Sequence, residues 1–166
     1  MKIFEVSLLT LIVLMVTNVS HAFQDCELTP EQESVLHFSY SYGEPHNVGY
    51  TMAAIAMQES DLGRYLINIS DPSGGVWHLT VDKAVNRLGW EHTPFNYNRA
   101  IQLLVDDIHF AADIALDTVL WWHNYHEGDW FKTWSSYNGG FKGNPKYAHQ
   151  IAEHIETIKQ CKWVGK

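Results

Sequence analysis

Residues 52–63 read MAAIAMQESDLG, a run of good helix formers that stays apolar until it approaches the carboxylate of Glu59. The apolar positions Met52, Ile55 and Ala56 recur at three- and four-residue spacing, which is typical of one buried helix face. Glu59 continues that spacing, so its side chain lies on or beside the same face. The pattern therefore predicts a core helix that carries a carboxylic acid inward.

The predicted position of Glu59 in this helix favours its protonated form. Asn47 is a suitable cap for the helix and Gly63 a suitable left-handed stop, which gives about three to four turns. Burial and the negative end of the helix dipole both oppose ionisation, so both raise the pKa of the carboxyl group. A protonated acid is what a poor leaving group such as a sugar alkoxide requires. A helix that simply ends in solvent at Glu59 is the alternative that this stretch leaves open.

The composition favours a single domain. The chain has 166 residues, 46% of them hydrophobic and 13% aromatic, which is enough to build one core. Its net charge of -8 argues against nucleic acid as a partner, because nucleic-acid-binding proteins present clusters of Lys and Arg to the phosphates. We expect the domain to act as a monomer.

The amino-terminal segment has the pattern of a secretion signal. Lys2 supplies a positive start, residues 7–19 are mostly apolar, and Ser20-His21-Ala22 offers a small-x-small cleavage site. We therefore assign residues 1–22 to a signal peptide and residues 23–166 to an exported domain, which works in the periplasm or is secreted. The alternative is an uncleaved segment that tethers the domain to the inner membrane through residues 7–19, a short run for a membrane span.

The two cysteines of the chain lie near the two ends of the exported domain, at Cys26 and Cys161. In an oxidising compartment we expect them to form a disulfide. Such a bridge constrains most of the unfolded chain and stabilises the fold by roughly 2 to 5 kcal/mol.

Further helices are predicted from their start signals and periodicity. Thr29-Pro30, Asp129 and Asn144-Pro145 each place a capping residue at the head of an apolar periodic segment. Residues 96–126 keep helical periodicity for so long that we expect either one central helix or a break near Phe110.

The only non-helical excursion predicted by the sequence directly follows the Glu59 helix. Residues 64–80 combine alternating apolar residues with turn formers, which predicts a small hairpin or an ordered loop, and residues 81–88 then form a short helix. The fold class is therefore mainly α, with one small β-like or irregular segment. A loop in this position can form the wall of a cleft beside Glu59.

Other arrangements of reactive residues carry weaker signals. His123 and His126 are spaced by about one helical turn, but they lack the His-Glu-x-x-His pattern of a zinc site. Ser60 lacks the glycine-flanked elbow of a nucleophilic serine. We therefore expect no metal and no cofactor.

Four short motifs, taken in order, resemble the goose-type lysozyme and lytic transglycosylase family, whose members cut the glycan strand of peptidoglycan. The motifs are similar to the family's Glu-Ser, Gly-Leu-Met-Gln, Ala-Tyr-Asn-Ala-Gly and late Tyr-Val. In this chain they read Glu59-Ser60, Gly75-Val76-Trp77-His78, Ser136-Tyr137-Asn138-Gly139-Gly140 and Tyr147-Ala148. Each motif is short, but their shared order across most of the exported domain makes the resemblance specific and implies a lysozyme-like domain.

The resemblance implies a reaction and a set of site residues. Glu59 protonates the glycosidic oxygen between N-acetylmuramic acid and N-acetylglucosamine, then acts as a base while the sugar's own 6-hydroxyl closes a 1,6-anhydro ring. Ser60 and Asn138 orient sugar or N-acetyl groups, Tyr137 closes the pocket, and Tyr147 is the direct partner of the Glu59 carboxyl group. Core packing is the alternative role for both tyrosines.

One motif position departs from the family, because His78 stands where the family has a glutamine. A neutral imidazole both donates and accepts, as the amide does, but with a different reach and a dependence on pH. We expect His78 to contact the substrate and to affect substrate preference more than the reaction. Packing under the loop is the alternative for His78.

Two other functions remain open at the level of the sequence. A hydrolysing muramidase would use Asp61 or Asp71 to hold a water molecule, and Asp71 in the loop is the better placed of the two. A non-catalytic glycan-binding or assembly module, in a secretion apparatus or a phage particle, would keep the cleft without the reaction. The intact Glu59 argues against such a module.

Overall fold

The computed structural model describes residues 27–68 and 70–164, and these residues form a mainly helical domain, as the sequence predicts. Short 3-10 turns cover Glu44–His46 and Gly140–Lys142. The α-helices of the described residues are α1 (Pro30–Gly43), α2 (Gly49–Ser60), α3 (Val81–Leu88), α4 (Pro94–Asp106), α5 (Ile108–Tyr125), α6 (Trp130–Gly139) and α7 (Pro145–Gln160).

Several predictions fall on residues outside this range. The predicted signal peptide of residues 1–22, its tether at residues 7–19 and Cys26 all lie outside the described residues. Export and the disulfide between Cys26 and Cys161 therefore stay predictions. None of the described helices combines the length and the apolar character that crossing a bilayer requires.

The predicted helix starts are confirmed by side chains that accept hydrogen bonds from the first turns. Thr29 forms a capping box with Gln32, and Asp129 and Asn144 cap α6 and α7. The long periodic segment is broken at Asp107, close to the expected position, because the Asp107 carboxylate accepts a 3.0 Å hydrogen bond from the N–H of Phe110 and starts a new helix.

Helix α2 forms the centre of the core, packed against α1 and α7. Five of its consecutive residues are completely buried, namely Met52, Ala53, Ala54, Ile55 and Ala56. Because every face of this stretch is covered, the end of α2 is held in a fixed place relative to α7.

The residues predicted to cap and to stop α2, Asn47 and Gly63, were both wrong. Asn47 does not cap the helix, because it adopts a left-handed conformation that ends the preceding 3-10 turn, and Val48 precedes α2 without a side-chain cap. The stop is Asp61, with φ 51°, rather than Gly63. Aspartate tolerates the left-handed region better than most residues, so the chain leaves the helix before it reaches the glycine.

A three-stranded antiparallel sheet follows α2, where the sequence predicted a hairpin or an ordered loop. Its strands are β1 (Ile67–Asn68), β2 (Ser73–Gly74) and β3 (Leu79–Thr80), in spatial order β1-β2-β3. At Gly75, φ is +76° and a Cβ atom would lie 2.3 Å from the carbonyl oxygen of Leu104, so only glycine fits.

The segment between β2 and β3 is fastened to α2 by a buried tryptophan. Trp77 is completely buried, and its Nε1–H donates a 3.0 Å hydrogen bond to the carbonyl oxygen of Met52. Residue His78, the next in the chain, has a φ of 41° and lies beside Glu59. The small sheet therefore brings the second motif of the sequence against the first.

Candidate active site

Glu59 lies in the last turn of α2, and its side chain is only 16% exposed. The hydroxyl group of Tyr147, from α7, donates a hydrogen bond of 2.6 Å to Glu59 Oε1. The predicted partnership of these two side chains is confirmed. The inward direction of Glu59 is confirmed as well, because the side chain is largely buried instead of ending in solvent.

His78 approaches the other oxygen of the carboxyl group. Its Nδ1 lies 3.7 Å from Glu59 Oε2, which is longer than a hydrogen bond. Its Nε2 lies 2.7 Å from the carbonyl oxygen of Tyr65. A carbonyl oxygen can only accept, so Nε2 carries a hydrogen and donates it to Tyr65, and Nδ1 is the ring nitrogen that faces Glu59.

Burial raises the pKa of Glu59 above its ordinary value, as the sequence predicts. The hydrogen bond from Tyr147 and the charges of His78 and Lys83 oppose this shift, but desolvation is the largest cause. Burial also raises the pKa values of Tyr137 and Tyr147 well above 10.0, and the nearby Glu59 charge adds to both shifts. Both phenols therefore stay neutral donors at physiological pH.

The hydrogen bond from Tyr147 favours Oε2 as the carboxyl oxygen that carries the acidic proton. When the Tyr147 hydroxyl donates to Oε1 of Glu59, the lone pairs of Oε2 are left for the acidic proton. Oε2 faces His78 at a distance too long for a hydrogen bond. The acidic proton is thus available to a ligand in the cavity beside His78.

Tyr137 and Asn138 come from α6, in the predicted third motif, and both line this cavity. The Tyr137 hydroxyl donates a 3.2 Å hydrogen bond to the carbonyl oxygen of Trp77, and its ring lies nearly parallel to that of Tyr147. Asn138 is exposed, and its Oδ1 accepts a 2.8 Å hydrogen bond from Asn144 Nδ2. The Asn138 Nδ2 group therefore remains available to a ligand.

The expected contact of Ser60 with a sugar is wrong, because Ser60 is completely buried. Its hydroxyl donates a 2.7 Å hydrogen bond to the carbonyl oxygen of Val76 and accepts one of 2.9 Å from the N–H of Gly63. The serine instead ties the end of α2 to the segment that carries His78. It positions the site without touching a ligand.

The site consists of a small cavity that continues into a larger groove. The cavity has a volume of about 120 Å³, and the groove about 620 Å³. Both are lined by the same four residues at their junction, which are Thr80, Lys83, Tyr137 and Asn138. The groove also has aromatic walls, at Trp121 and Trp122, and the Trp121 side chain is 52% exposed.

Lys83 is the site residue that sequence reasoning missed. It lies on α3, is half-buried, and contributes to both the cavity and the groove. Its position just after the second motif, five residues from His78, was the available signal. A lysine in an amphipathic helix is nevertheless usually a solvated residue, so that signal was weak.

The two aspartates considered for a hydrolytic reaction lie in different places. Asp61 pairs with Arg64 at 3.6 Å and does not line the cavity, whereas Asp71 is exposed and does. His126 is hydrogen-bonded to Ser136 at 2.8 Å. Within residues 27–68 and 70–164, no group of three or more His, Cys, Asp or Glu side chains is arranged to hold a metal ion.

Comparison with known proteins assigns no activity to this site. The chain is 26% identical, over 173 residues, to an uncharacterized 20.7 kDa protein in the vs-regB intergenic region of Enterobacteria phage T4, and the match covers 90% of this chain and 89% of the relative. No protein-family model matches the chain. No solved structure matches it at a significant level.

Proposed function

We propose that this protein is a peptidoglycan lytic transglycosylase with a lysozyme-like domain. The observation that carries the proposal is the environment of Glu59, a largely buried carboxylic acid with a raised pKa that is hydrogen-bonded to Tyr147 and lines a cavity. Such an acid suits the protonation of a glycosidic oxygen, because the leaving alkoxide is too basic to depart without a proton.

The reaction needs only one acid when the substrate supplies its own nucleophile. Oε2 of Glu59 donates its proton to the glycosidic oxygen as the bond between that oxygen and the anomeric carbon of N-acetylmuramic acid breaks. The muramic N-acetyl group supports the positive charge at the anomeric carbon. The Glu59 carboxylate then removes the proton of the 6-hydroxyl group, whose oxygen bonds to the anomeric carbon and closes the 1,6-anhydro ring. Glu59 ends the cycle protonated.

Two neighbours of Glu59 stabilise the carboxylate that remains after the proton has been transferred. Tyr147 donates to Oε1 and stabilises the carboxylate that forms after the first step. His78, when protonated, faces Oε2 and stabilises the same charge. Tyr137 lines the cavity and limits the access of water to Glu59, and its hydroxyl is held by the carbonyl oxygen of Trp77.

The shape of the site favours a polymeric substrate. A volume of about 120 Å³ is smaller than the usual range for sites that enclose a whole ligand, so the cavity takes only the reacting part. The groove of about 620 Å³ provides room for the neighbouring sugars. Trp121 is 52% exposed and lines the groove, so part of its ring is accessible for packing against the apolar face of a sugar ring.

A hydrolysing muramidase is the second candidate, because Asp71 lines the same cavity as Glu59. In that reaction Asp71 would activate a water molecule on the opposite side of the sugar ring. Asp71 is exposed, so a water molecule can reach its carboxyl group from the cavity.

The products released from purified cell-wall sacculi test the proposal. Mass spectrometry is expected to find muropeptides that end in 1,6-anhydromuramic acid and no increase in reducing ends. An Asp71→Asn variant is expected to keep the activity within about threefold, because the transglycosylase needs no second carboxylate. Reducing ends, together with a loss of at least about a hundredfold in Asp71→Asn, would establish the muramidase instead.

A non-catalytic glycan-binding or assembly module is the alternative outside the enzymes. Such a module would bind sacculi in a sedimentation assay and release no soluble fragments. The phage T4 relative is uncharacterized and so favours neither an enzyme nor a module. Action in the periplasm or outside the cell is part of the proposal, because that is where peptidoglycan lies.

A further inference from the structure

Lys83 occupies the junction between the cavity and the groove. It is half-buried on α3, and its Nζ lies 5.6 Å from the centre of the Tyr137 ring. The cavity on one side contains Glu59, and the groove on the other contains Trp121. A ligand that extends from one into the other must pass the ammonium group.

Within the described part of the chain, no carboxylate lies within salt-bridge distance of the Lys83 ammonium group. The other cation of the groove, Arg87, forms a salt bridge with Asp117. Among residues 27–68 and 70–164, Lys83 forms neither a salt bridge nor a hydrogen bond, so Glu59 acts on it only from beyond contact distance. Asp71, the other carboxylate of the cavity, does not pair with it either.

The half-buried ammonium group of Lys83 loses part of its hydration, and no carboxylate among the described residues forms a salt bridge with it. Burial lowers the pKa of Lys83, while the Glu59 charge opposes this shift. Part-burial of an unpaired charge is costly, and an anion that arrives with the substrate would offset that cost. The face of the Tyr137 ring attracts the Lys83 ammonium group but accepts no conventional hydrogen bond from it. The N–H groups of Lys83 therefore remain available to an anion.

We propose that Lys83 binds a carboxylate of the glycan substrate where the cavity meets the groove. This inference rests on the proposed function and refines it, because it makes the enzyme selective for glycans that carry a carboxylate over neutral N-acetylglucosamine polymers. The carboxylate has two sources in peptidoglycan. One is the lactyl group of muramic acid in strands stripped of stem peptides, and the other is the stem peptide itself.

Binding is measured in the Glu59→Gln background, so that no glycan is cleaved during the titration. Calorimetry compares three oligosaccharides of equal length: stripped strands with free lactyl carboxylates, strands with intact stem peptides, and neutral N-acetylglucosamine oligomers. The first two distinguish the sources of the carboxylate. Each is titrated into the full chain with Lys83, with Lys83→Met and with Lys83→Arg, and Lys146→Met serves as the control for an exposed lysine that lines neither cavity nor groove.

The expected result is a selective loss. Lys83→Met weakens binding of at least one carboxylate-bearing glycan about tenfold and leaves the neutral oligomer unchanged, since a charge-assisted hydrogen bond is lost only with the anion. Lys83→Arg keeps the preference, and Lys146→Met behaves like the parent. Tighter binding of the stripped strand identifies the lactyl carboxylate, and tighter binding of the intact strand identifies the stem peptide.

Two results would overturn the inference, and only the second would also overturn the proposed function. Equal weakening of neutral and charged glycans in Lys83→Met, or no weakening of either, refutes the role of Lys83 but leaves the proposed function standing. Failure of all three glycans to bind the Glu59→Gln protein, with its thermal unfolding intact, refutes the proposed function and this inference together.

Discussion

A buried cluster and an exposed cluster among the described residues each combine a carboxylate, a tyrosine and a histidine. In the cavity, Glu59 accepts from Tyr147 and faces His78. On the surface, Asp82 accepts a 2.9 Å hydrogen bond from the Tyr97 hydroxyl and lies 3.2 Å from His92 Nδ1. We call the first the buried cluster and the second the surface cluster.

The difference between the clusters shows that residue types alone do not make an acid catalyst. The carboxylate and imidazole of the buried cluster are 16% and 12% exposed, and those of the surface cluster are 62% and 46% exposed. Water screens the charges in the surface cluster, whereas burial raises the pKa of Glu59. Equivalent substitutions in the two clusters therefore separate the effect of burial from the effect of residue type.

The largest difference is expected for the carboxylates. Glu59→Gln keeps an acceptor for the Tyr147 hydroxyl but removes the acidic proton, so the rate of release of soluble fragments from sacculi should fall at least about a hundredfold. Asp82→Asn should stay within about twofold of the unmutated protein. Full activity of Glu59→Gln would remove this residue from the mechanism.

A smaller difference is expected for the tyrosines. Tyr147→Phe removes the donor that stabilises the Glu59 carboxylate, so activity should fall about tenfold. That hydrogen bond also lowers the pKa of Glu59, so its loss should move the alkaline limb of the pH–rate profile to higher pH. Tyr97→Phe is the control, with neither change expected. A loss of rate with an unmoved profile would assign Tyr147 a packing role only.

A still smaller effect on rate is expected for the histidines. His78→Gln introduces the glutamine that the lytic transglycosylase motif has at this position. This variant should change the rate by no more than about threefold. Because the His78 charge lowers the pKa of Glu59, its removal should shift the alkaline limb upward. His92→Gln should leave the profile in place. A downward shift in His78→Gln would contradict the electrostatic role inferred from the contact with Oε2.

The smallest effect concerns stability and depends on pH. The raised pKa of Glu59 contributes stability that is fully present below its unfolded-state value of 4.5 and is lost as pH rises through the folded-state pKa. Relative to Glu59→Gln, the unmutated protein should therefore become progressively less stable above pH 4.5 in urea unfolding. Asp82→Asn should follow the unmutated protein across the same range. A difference that does not vary with pH would argue against desolvation of Glu59.

Local signals in the sequence predicted most of the helices. Thr29, Asp129 and Asn144 cap the helices they were expected to cap, because a side-chain oxygen reaches the free N–H groups of the next turn whatever the rest of the chain does. The ends of α2 were less predictable. Asn47 and Gly63 had suitable side chains, but the surrounding turns placed the stop at Asp61.

The sequence predicted the site residue that contacts Glu59 directly. It did not predict the roles of residues whose surroundings depend on how distant elements pack. Tyr147 was expected to meet Glu59 and does so. Ser60 was expected to face a sugar, but its hydroxyl is used by the backbone of residues 63 and 76. Lys83 was missed because its proximity to Glu59 depends on how α3 packs after the small sheet.

The sequence by itself determined that Glu59 lies on or beside the apolar face of its helix, since helical spacing fixes the face that each residue occupies, but it left open whether the helix ends in solvent there. Only the tertiary structure decided the chemistry of that carboxyl group. Tyr147 lies 88 residues farther along the chain, and His78 reaches Glu59 through a turn held by the buried Trp77. Desolvation, the largest cause of the raised pKa, is a property of everything packed around the group, and no local pattern encodes it.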